Sequence, residues 1–151
     1  MSTAKNQVIE LVINELVDKR DRYQGMIDSI NESKRNETKS SAGDKFETGR
    51  AMMQAEEDKV SGQLAKIQQQ IAIMQSISNT GGDKSIVELG ALVETNTGTY
   101  FVSISHGKVL VDGEKVFAIS PNSPVAQAML GLGPSDTYSF NGRSFIIRNI
   151  Y

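Results

Sequence analysis

The sequence predicts an α+β protein, in which a long antiparallel coiled-coil hairpin of two helices precedes a small antiparallel β domain with one short helix. The first 80 residues contain no Pro and are rich in Glu, Lys, Gln, Ile and Leu, whereas all three Pro and most of the 13 Gly come later. Apolar residues repeat with coiled-coil spacing in the first part, and short β-branched runs fill the second. These observations indicate a change of architecture near residue 80.

Two apolar seams predict the two long helices. In each seam the apolar positions step alternately by four and three residues, which is the spacing of a coiled coil. The first seam consists of Ile9, Ile13, Leu16, Arg20, Tyr23, Ile27 and Ile30. The second consists of Met53, Glu57, Val60, Leu64, Ile67, Ile71 and Met74. Arg20 and Glu57 are the only charged members, so each helix carries one nearly continuous apolar stripe.

The two seams share one register if the helices fold back on each other. Facing residues such as Ile30 with Met53 and Ile9 with Met74 then have residue numbers that add to 83, and the interleaved pairs add to 84. This register centres the turn on Ser41-Ala42-Gly43 and predicts a finger about 45 to 50 Å long. A dimerising coiled coil is the alternative. The shared register and the Gly at the turn favour an intramolecular hairpin, and hence a monomer.

The predicted domains are a coiled-coil finger at 1–78 with its tip near 41–47, a linker at 79–85 and a C-terminal domain at 86–151. Runs of β-branched and apolar residues bounded by turn residues predict six strands in the C-terminal domain. These strands are Ala91–Glu94, Tyr100–Ser105, Lys108–Leu110, Val116–Ile119, Thr137–Phe140 and Ser144–Ile150.

Turn and capping residues delimit the elements of this domain. Asp112-Gly113 and Asn141-Gly142 are strong signals for tight β-hairpins. Between Ser123 and Leu132 the pattern is helical, with Ser123 as the N-cap and Pro124 at the first helical position. One short helix therefore interrupts the strands.

Composition excludes several classes of protein. The chain has no Cys, so disulfide frameworks and thiolate metal sites are ruled out. No apolar run reaches the roughly 20 residues that a membrane span needs, and the N-terminus lacks the pattern of a secretory signal. We therefore expect a cytoplasmic protein without a membrane partner. The formal net charge of −2 gives no overall attraction to nucleic acid, so any such contact must be local or arranged by a partner.

Two carboxylates lie at the predicted tip. Asp44 and Glu47 are three residues apart, which in a helix points both the same way and could place them on a metal ion. Two carboxylates alone bind Mg²⁺ weakly, because the ion keeps most of its water unless a partner completes its shell. The competing interpretation is a capping box, with Asp44 as the N-cap and Glu47 at the third helical position. Phe46, an aromatic residue beside these acids, is a candidate contact residue.

Basic residues surround the tip and could guide it toward phosphates. They are Lys34, Arg35, Lys39, Lys45 and Arg50. Glu32 and Glu37 lie among them, so a solvated face of mixed charge is an equally good interpretation. The sequence contains no nucleophile motif and no Gly-rich phosphate loop, and we therefore expect no autonomous enzyme.

Two separate stretches resemble the Gre family of bacterial transcript-cleavage factors. The stretch ISPNSPVAQAMLG at 119–131, followed by Asp136 and a closing strand, is similar to the family's strand, Ser-Pro, short helix and Gly-Asp. At the tip, Gly43-Asp44-Lys45-Phe46-Glu47 resembles the family's Gly-Asp-x-x-Glu. The layout of the whole chain also fits, because the family joins an N-terminal coiled coil to a C-terminal FKBP-like domain.

The resemblance implies a finger that enters the secondary channel of bacterial RNA polymerase and stimulates cleavage of backtracked RNA. Asp44 and Glu47 would then help to hold a Mg²⁺ shared with the polymerase active site, with none bound in isolation, and the polymerase would remain the enzyme. Gly43, Lys45 and Phe46 become tip contacts. Nascent RNA or the channel wall would be contacted by Lys34, Arg35, Lys39 and Arg50. In the FKBP-like domain the polymerase-docking candidates are Ser123, Pro124, Met129 and Leu130.

Two alternatives stay open beside a cleavage factor. The family usually follows the second acid with Asn and soon a Tyr, whereas Thr48, Gly49 and Arg50 follow Glu47 here. A regulator that binds the channel without promoting cleavage would fit this difference. A coiled-coil adaptor unrelated to polymerase is the second alternative. Prolyl isomerase activity is disfavoured, because its pocket needs a deep aromatic lining and the C-terminal domain has few aromatics.

Overall fold

The computed structural model describes residues 2–39, 43–80, 82 and 84–151, and their side chains except those of residues 2, 3, 37–39 and 43–46. Two long helices come first: α1 spans Ser2–Lys39 and α2 spans Gly43–Asn79. The predicted turn residues 40–42 between them lie outside the described residues. Of the helices that the structure describes, none combines the length and the apolar character needed to cross a membrane.

Six strands and a third helix follow the hairpin, which confirms the predicted α+β class. They are β1 Leu92–Thr95, β2 Thr99–Val102, β3 Gly107–Val111, β4 Glu114–Ile119, α3 Pro124–Met129, β5 Thr137–Phe140 and β6 Arg143–Ile150. Each predicted strand has its counterpart, and no observed bound differs from the predicted one by more than three residues. The helix predicted over Ser123–Leu132 is shorter, because Leu130 leaves the helical conformation and Gly131 adopts a φ of +83°.

The strands form one sheet in the order β3-β4-β2-β1-β6-β5. All neighbouring pairs are antiparallel except β2 and β4, which run parallel with Thr99 opposite Val116 and Val102 opposite Ile119. The predicted antiparallel β domain is thus confirmed, and its sheet also contains one parallel pair. The parallel pair arises because β3 and β4 form a hairpin whose second strand, and not its first, joins β2.

Tight turns fix the two outer hairpins of the sheet. Asp112 and Gly113 between β3 and β4, like Asn141 and Gly142 between β5 and β6, all have positive φ. Consecutive positive φ values make a turn whose twist matches that of antiparallel strands, and Asn, Asp and Gly tolerate them best. Both predicted hairpin turns are therefore confirmed.

The chain divides into two compact units, one formed by residues 15–71 and the other by residues 1–14 together with 72–151. In the first unit the middle parts of α1 and α2 lie side by side, and every seam residue within it is buried or half-buried. In the second unit the start of α1 and the end of α2 belong with the sheet. Ile77 of α2 lies so close to Gly90 that a β-carbon built there would be 3.3 Å from its Cγ2.

One face of the sheet carries a hydrophobic core that α3 helps to close. Its fully buried members are Val87, Ala91, Val93, Val102, Met129, Tyr138, Ile147 and Ile150. Tyr100, Ile119, Leu130 and Phe145 are among the half-buried residues that pack against it. Helix α2 ends at Asn79, one residue beyond the predicted end of the finger at 78.

Candidate functional site

The acidic pair of the tip lies in the first turn of α2. Because α2 begins at Gly43, Asp44 and Glu47 both lie in the first turn of the helix, three residues apart. Glu47 is exposed. The side chains of Asp44, Lys45 and Phe46 lie outside the described residues, so the tip contacts predicted for them stay predictions.

The capping interpretation of the same residues requires Asp44 to precede the helix. The helix begins at Gly43 instead, so Asp44 is inside the first turn. Carboxylates in the first turn are still favoured there, because the unpaired N–H groups give a helix N-terminus a partial positive charge. An acid at either position can therefore stabilise the start of α2, and the side chain of Glu47 is exposed.

Lys34, a predicted RNA or channel contact, is bound within the hairpin. Its ammonium donates a hydrogen bond of 2.7 Å to Oε1 of Gln54 and forms an ion pair with the carboxylate of Glu57. The Lys34 side chain is only 14% exposed and that of Glu57 21%. Gln54 in turn donates to Asp58, with 2.9 Å between Nε2 and Oδ1. Lys34 thus joins α1 to a polar row on α2.

This polar contact was not anticipated from the sequence, although a signal for it exists. One further step of four residues beyond Ile30 extends the first seam to Lys34, and Glu57 is the charged member of the second seam. Extending the first seam by this step would have placed Lys34 on the same helix interface as Glu57. The contact is compatible with the predicted register, because side chains on each helix lean toward its own N-terminus and so converge along the hairpin.

Arg20, the other charged seam residue, bonds a residue of its own helix. Its guanidinium bonds the neighbouring Asp21, with 3.3 Å between Nε and Oδ1, and the side chain is 40% exposed. Arg20 therefore turns its charge to solvent beside the apolar stripe, as long cationic side chains do. Lys34 and Glu57, by contrast, bring opposite charges together across the helical hairpin.

The other basic candidates remain on the surface where the structure describes them. Arg35 and Arg50 are exposed, whereas the side chain of Lys39 lies outside the described residues. Glu32, also exposed, lies three residues before Arg35 on the same helix. The surface near the tip thus has the mixed charge that the sequence indicates, with Lys34 withdrawn from it.

The donor set at the tip fits a weakly held, hard divalent cation. Glu47 supplies an exposed carboxylate, and Asp44 precedes it by three residues in the first turn of the same helix. Two carboxylate ligands leave most of an octahedral Mg²⁺ shell to water or to a partner's groups. Such a pair is suited to completing a site that another macromolecule provides.

In the C-terminal domain, Ser123 caps α3 as predicted. Its hydroxyl oxygen accepts a hydrogen bond from the backbone N–H of Ala126 at 3.3 Å and donates one to the carbonyl oxygen of Ser120 at 2.7 Å. Pro124 follows at the first helical position and is exposed. Ser123 therefore has a structural role, and Pro124 is the predicted docking residue that presents a surface.

Met129 does not present a surface. It is completely buried in the core of the sheet, and Leu130 is half-buried against the same core. A side chain without exposed surface cannot contact a docked partner unless the domain rearranges. Met129 therefore acts in packing, since it and Ala126 form the buried side of the short helix.

Sequence comparisons add no relative to these observations. No protein-family model matches the chain, and no curated protein shows significant similarity to it. The functional proposal therefore depends on the helix geometry, on the placement of the acids and on the two motif resemblances.

Proposed function

We propose that the chain is a Gre-like transcription factor that binds bacterial RNA polymerase, inserts the tip of its hairpin into the secondary channel and stimulates cleavage of backtracked RNA. The observation that carries the proposal is the position of the acidic pair. Helices of 38 and 37 residues are separated by only three residues, and Asp44 and Glu47 occupy the first turn of the second helix. The acids thus lie in the first turn of the second of two long helices.

The dimensions of the hairpin suit delivery of a side chain into a deep channel. A helix of 37 residues is about 55 Å long, which exceeds the diameter of most small domains. Two helices side by side bury little apolar surface per residue, so a pair of helices of this length contributes little as a hydrophobic core. The length of the hairpin would instead allow Asp44 and Glu47 to enter a deep channel of the partner.

Asp44 and Glu47 would act by binding a Mg²⁺ whose remaining ligands come from the polymerase and the RNA. When bound, this ion supplies a water of lowered pKa and a positive charge near the phosphate that is cleaved. Glu47 would direct its carboxylate to the ion from the exposed side of α2. The chain itself would be no enzyme, and its partners would be RNA polymerase and nascent RNA in the cytoplasm.

The proposal is tested by measuring RNA cleavage in backtracked elongation complexes of bacterial RNA polymerase with Mg²⁺ present. We expect the wild-type chain to release short 3′ RNA fragments. Asp44→Asn and Glu47→Gln should each lower the rate at least about 100-fold, because loss of a metal ligand removes several kcal/mol of charge stabilisation. Both variants should bind polymerase as tightly as wild type.

Glu56→Gln provides the matched control for the acid variants. Glu56 is exposed on α2 but lies nine residues beyond Glu47, so its neutralisation changes net charge equally without touching the tip. Its cleavage rate should equal that of wild type. If the wild-type chain binds polymerase but releases no fragments, the proposed cleavage function is wrong. If the tip variants cleave as fast as wild type, Asp44 and Glu47 do not bind a metal ion that cleavage needs.

A regulator that occupies the channel without cleavage is the second candidate, and the position of Arg50 favours it. Arg50 is exposed and follows Glu47 by three residues on α2, so a positive charge lies close to the proposed metal ligand. A nearby cation weakens the attraction of a carboxylate for Mg²⁺. If wild type cleaves poorly, Arg50→Gln should raise cleavage, whereas an unchanged low rate would support a regulator.

A further inference from the structure

The edge of the sheet at β3 is open to an additional strand. β3 pairs with β4 alone and is the first strand in the sheet order. In an antiparallel edge strand every second residue directs its N–H and C=O away from the neighbouring strand. No backbone hydrogen bond from a described residue reaches that outer side of β3. The strand therefore offers free donors and acceptors in the regular spacing of a β ladder.

A groove accompanies this edge within the same compact unit. It lies between the end of β3 and the first third of α1, and its cavity volume is about 320 Å³. Volumes of this size are typical of sites that hold a ligand. Helices often protect a sheet edge by covering it, but here a space remains between α1 and β3.

Apolar side chains form part of the groove wall. Leu110 of β3 is 56% exposed, and Leu11 of α1 and the adjacent Val111 are half-buried. Leu110 is among the most exposed large apolar residues that the structure describes. An extended segment that paired with β3 would cover Leu110 and could direct every second side chain toward Leu11.

The charged residues in the groove indicate which side chains a bound segment would carry. Glu10 on α1 and Asp112 at the end of β3 are both exposed, and no cation is found among the described residues that line the groove. Asn14 adds an amide that can donate or accept. Glu10 and Asp112 attract basic side chains to this end of β3 and steer their approach, whereas exposed Lys108 lies further along the strand and outside the groove.

We infer that this groove binds an extended basic peptide segment of a partner protein, which adds to the sheet as a strand beside β3. Main-chain hydrogen bonds to the edge would supply affinity, and alternate side chains would supply specificity through Leu11, Leu110, Glu10 and Asp112. This surface lies away from the hairpin tip in sequence and depends on none of the tip residues. The inference therefore goes beyond the proposed function and can stand or fail separately from it.

The test uses the full chain and a fluorescently labelled peptide of alternating Lys and Val. Binding is followed by fluorescence anisotropy at low and at high salt, and the contacted residues by backbone amide NMR. We expect the Lys-Val peptide to bind and to protect alternate β3 amides from hydrogen exchange. A Glu-Val peptide should bind at least about tenfold more weakly, because its charges oppose those of the groove.

Two chain variants locate the site. Glu10→Gln combined with Asp112→Asn should weaken binding of the Lys-Val peptide about three- to tenfold, in a salt-dependent manner. Asn is chosen at Asp112 because it tolerates the φ of 52° found there. Glu114→Gln is the matched control, since Glu114 is exposed beyond the same turn but does not line the groove, and its affinity should match that of wild type.

Three results would overturn the inference. Equal binding of a Lys-Val peptide with N-methylated backbone amides would exclude a β ladder. Protection of amides in β5, at the opposite edge, with none in β3 would exclude this groove. Concentration-dependent self-association that protects β3 without peptide, measured by sedimentation, would assign the edge to a second copy of the chain instead.

Discussion

The ammonium of Lys34 contacts the carboxylate of Glu57 across the helical hairpin, where both side chains are largely withdrawn from solvent. Each residue by itself would place a charge on an apolar seam. Together they compensate, and Gln54 provides a further acceptor for the ammonium. The contact is specific to one alignment of the helices, because a shift of either helix by one turn would separate the charges by about 5 Å.

A double-mutant cycle should show this coupling. Exposed ion pairs contribute about 0.2–1 kcal/mol, whereas breaking a fully buried pair costs about 3–5 kcal/mol. For this partly buried pair we expect Lys34→Met or Glu57→Leu alone to lower the free energy of unfolding by about 1–3 kcal/mol. The double variant should recover wild-type stability, because Met and Leu continue the apolar seam.

Urea denaturation followed by circular dichroism measures these free energies. Lys66→Met is the control, because Lys66 is exposed on α2 and outside the seam, and its effect should stay within about 0.5 kcal/mol. Additive losses in the double variant would show that Lys34 and Glu57 are not energetically coupled. The cycle also bears on cleavage assays, since a Lys34 variant can lose activity by weakening the hairpin without losing an RNA contact.

Arg35 is the basic tip candidate whose exposed position best suits a phosphate contact. If it neutralises one RNA phosphate, Arg35→Gln should reduce the slope of log affinity against log salt by about 0.7, the value for one contact to a single strand. The measurement is binding to backtracked elongation complexes over a series of salt concentrations. Arg22→Gln, an exposed change further down α1, should leave the slope unaltered. Equal slopes for Arg35→Gln and wild type would assign Arg35 to the solvated surface.

Local sequence signals predicted the elements of this fold well, because the relevant physics is local. Asp112-Gly113 and Asn141-Gly142 specify turns through the positive φ values that these residues accept. Ser123 specifies the start of α3 through a hydrogen bond only three residues away. The seams predicted the helices because a 3.5-residue repeat persists over many turns.

Non-local features were not predictable in the same way. The period of a strand shows which side chains share a face but does not show which strand is its neighbour, so the sequence does not specify the parallel pairing of β2 with β4. The contact of Lys34 with Glu57 depends on the reach of two long side chains and not on facing positions. The buried place of Met129 shows that a motif resemblance does not separate docking residues from packing residues.

Gly133 should contribute to the stability of the fold, because the backbone of another segment lies against it. A β-carbon added there would be 2.6 Å from the carbonyl oxygen of Ser85, where 87 and 131–132 also exchange backbone hydrogen bonds. The N–H of Gly133 donates to Oδ2 of Asp136 at 2.7 Å. We expect Gly133→Ala to lower the free energy of unfolding by about 1–3 kcal/mol, since two backbone segments would have to move apart.

Gly62→Ala is the matched comparison for Gly133→Ala. Gly62 lies within α2, and an added β-carbon meets no atom within 4 Å. Ala should therefore stabilise the hairpin by about 0.5–1 kcal/mol through its higher helix propensity. Thermal and urea unfolding of both variants measure the change in the free energy of unfolding, which should be negative for Gly133→Ala and positive for Gly62→Ala. Equal effects of the two substitutions would contradict the close approach at Gly133.

Tyr138 should make stability fall at alkaline pH. Its side chain is only 7% exposed and stacks on Phe145 with 5.2 Å between ring centroids. The hydroxyl has no hydrogen bond of acceptable geometry among the described residues. Burial raises the pKa of Tyr138 from 10.0 to about 12, with Tyr100 acting in the same direction and the Thr95 hydroxyl opposing it.

A raised pKa means that folding favours the protonated phenol. The stability contributed by Tyr138 is therefore complete below the unfolded pKa of 10.0 and is lost as pH rises toward the folded pKa of about 12. In that window the loss approaches about 1.4 kcal/mol for each pH unit. Tyr138→Phe removes this loss, so the variant should gain stability relative to wild type as pH increases from 10 to 12.

The comparison of Tyr138→Phe with wild type at each pH isolates this phenol, because all other titrating groups are common to both chains. At pH 7 the variant should be as stable as wild type or up to about 1 kcal/mol more stable, since a buried hydroxyl without a partner contributes nothing favourable. Phenolate absorbance should show one late-titrating tyrosine fewer in the variant than in wild type. A constant stability difference from pH 7 to 12 would mean that Tyr138 titrates alike in the folded and unfolded chain, and hence that its hydroxyl reaches solvent.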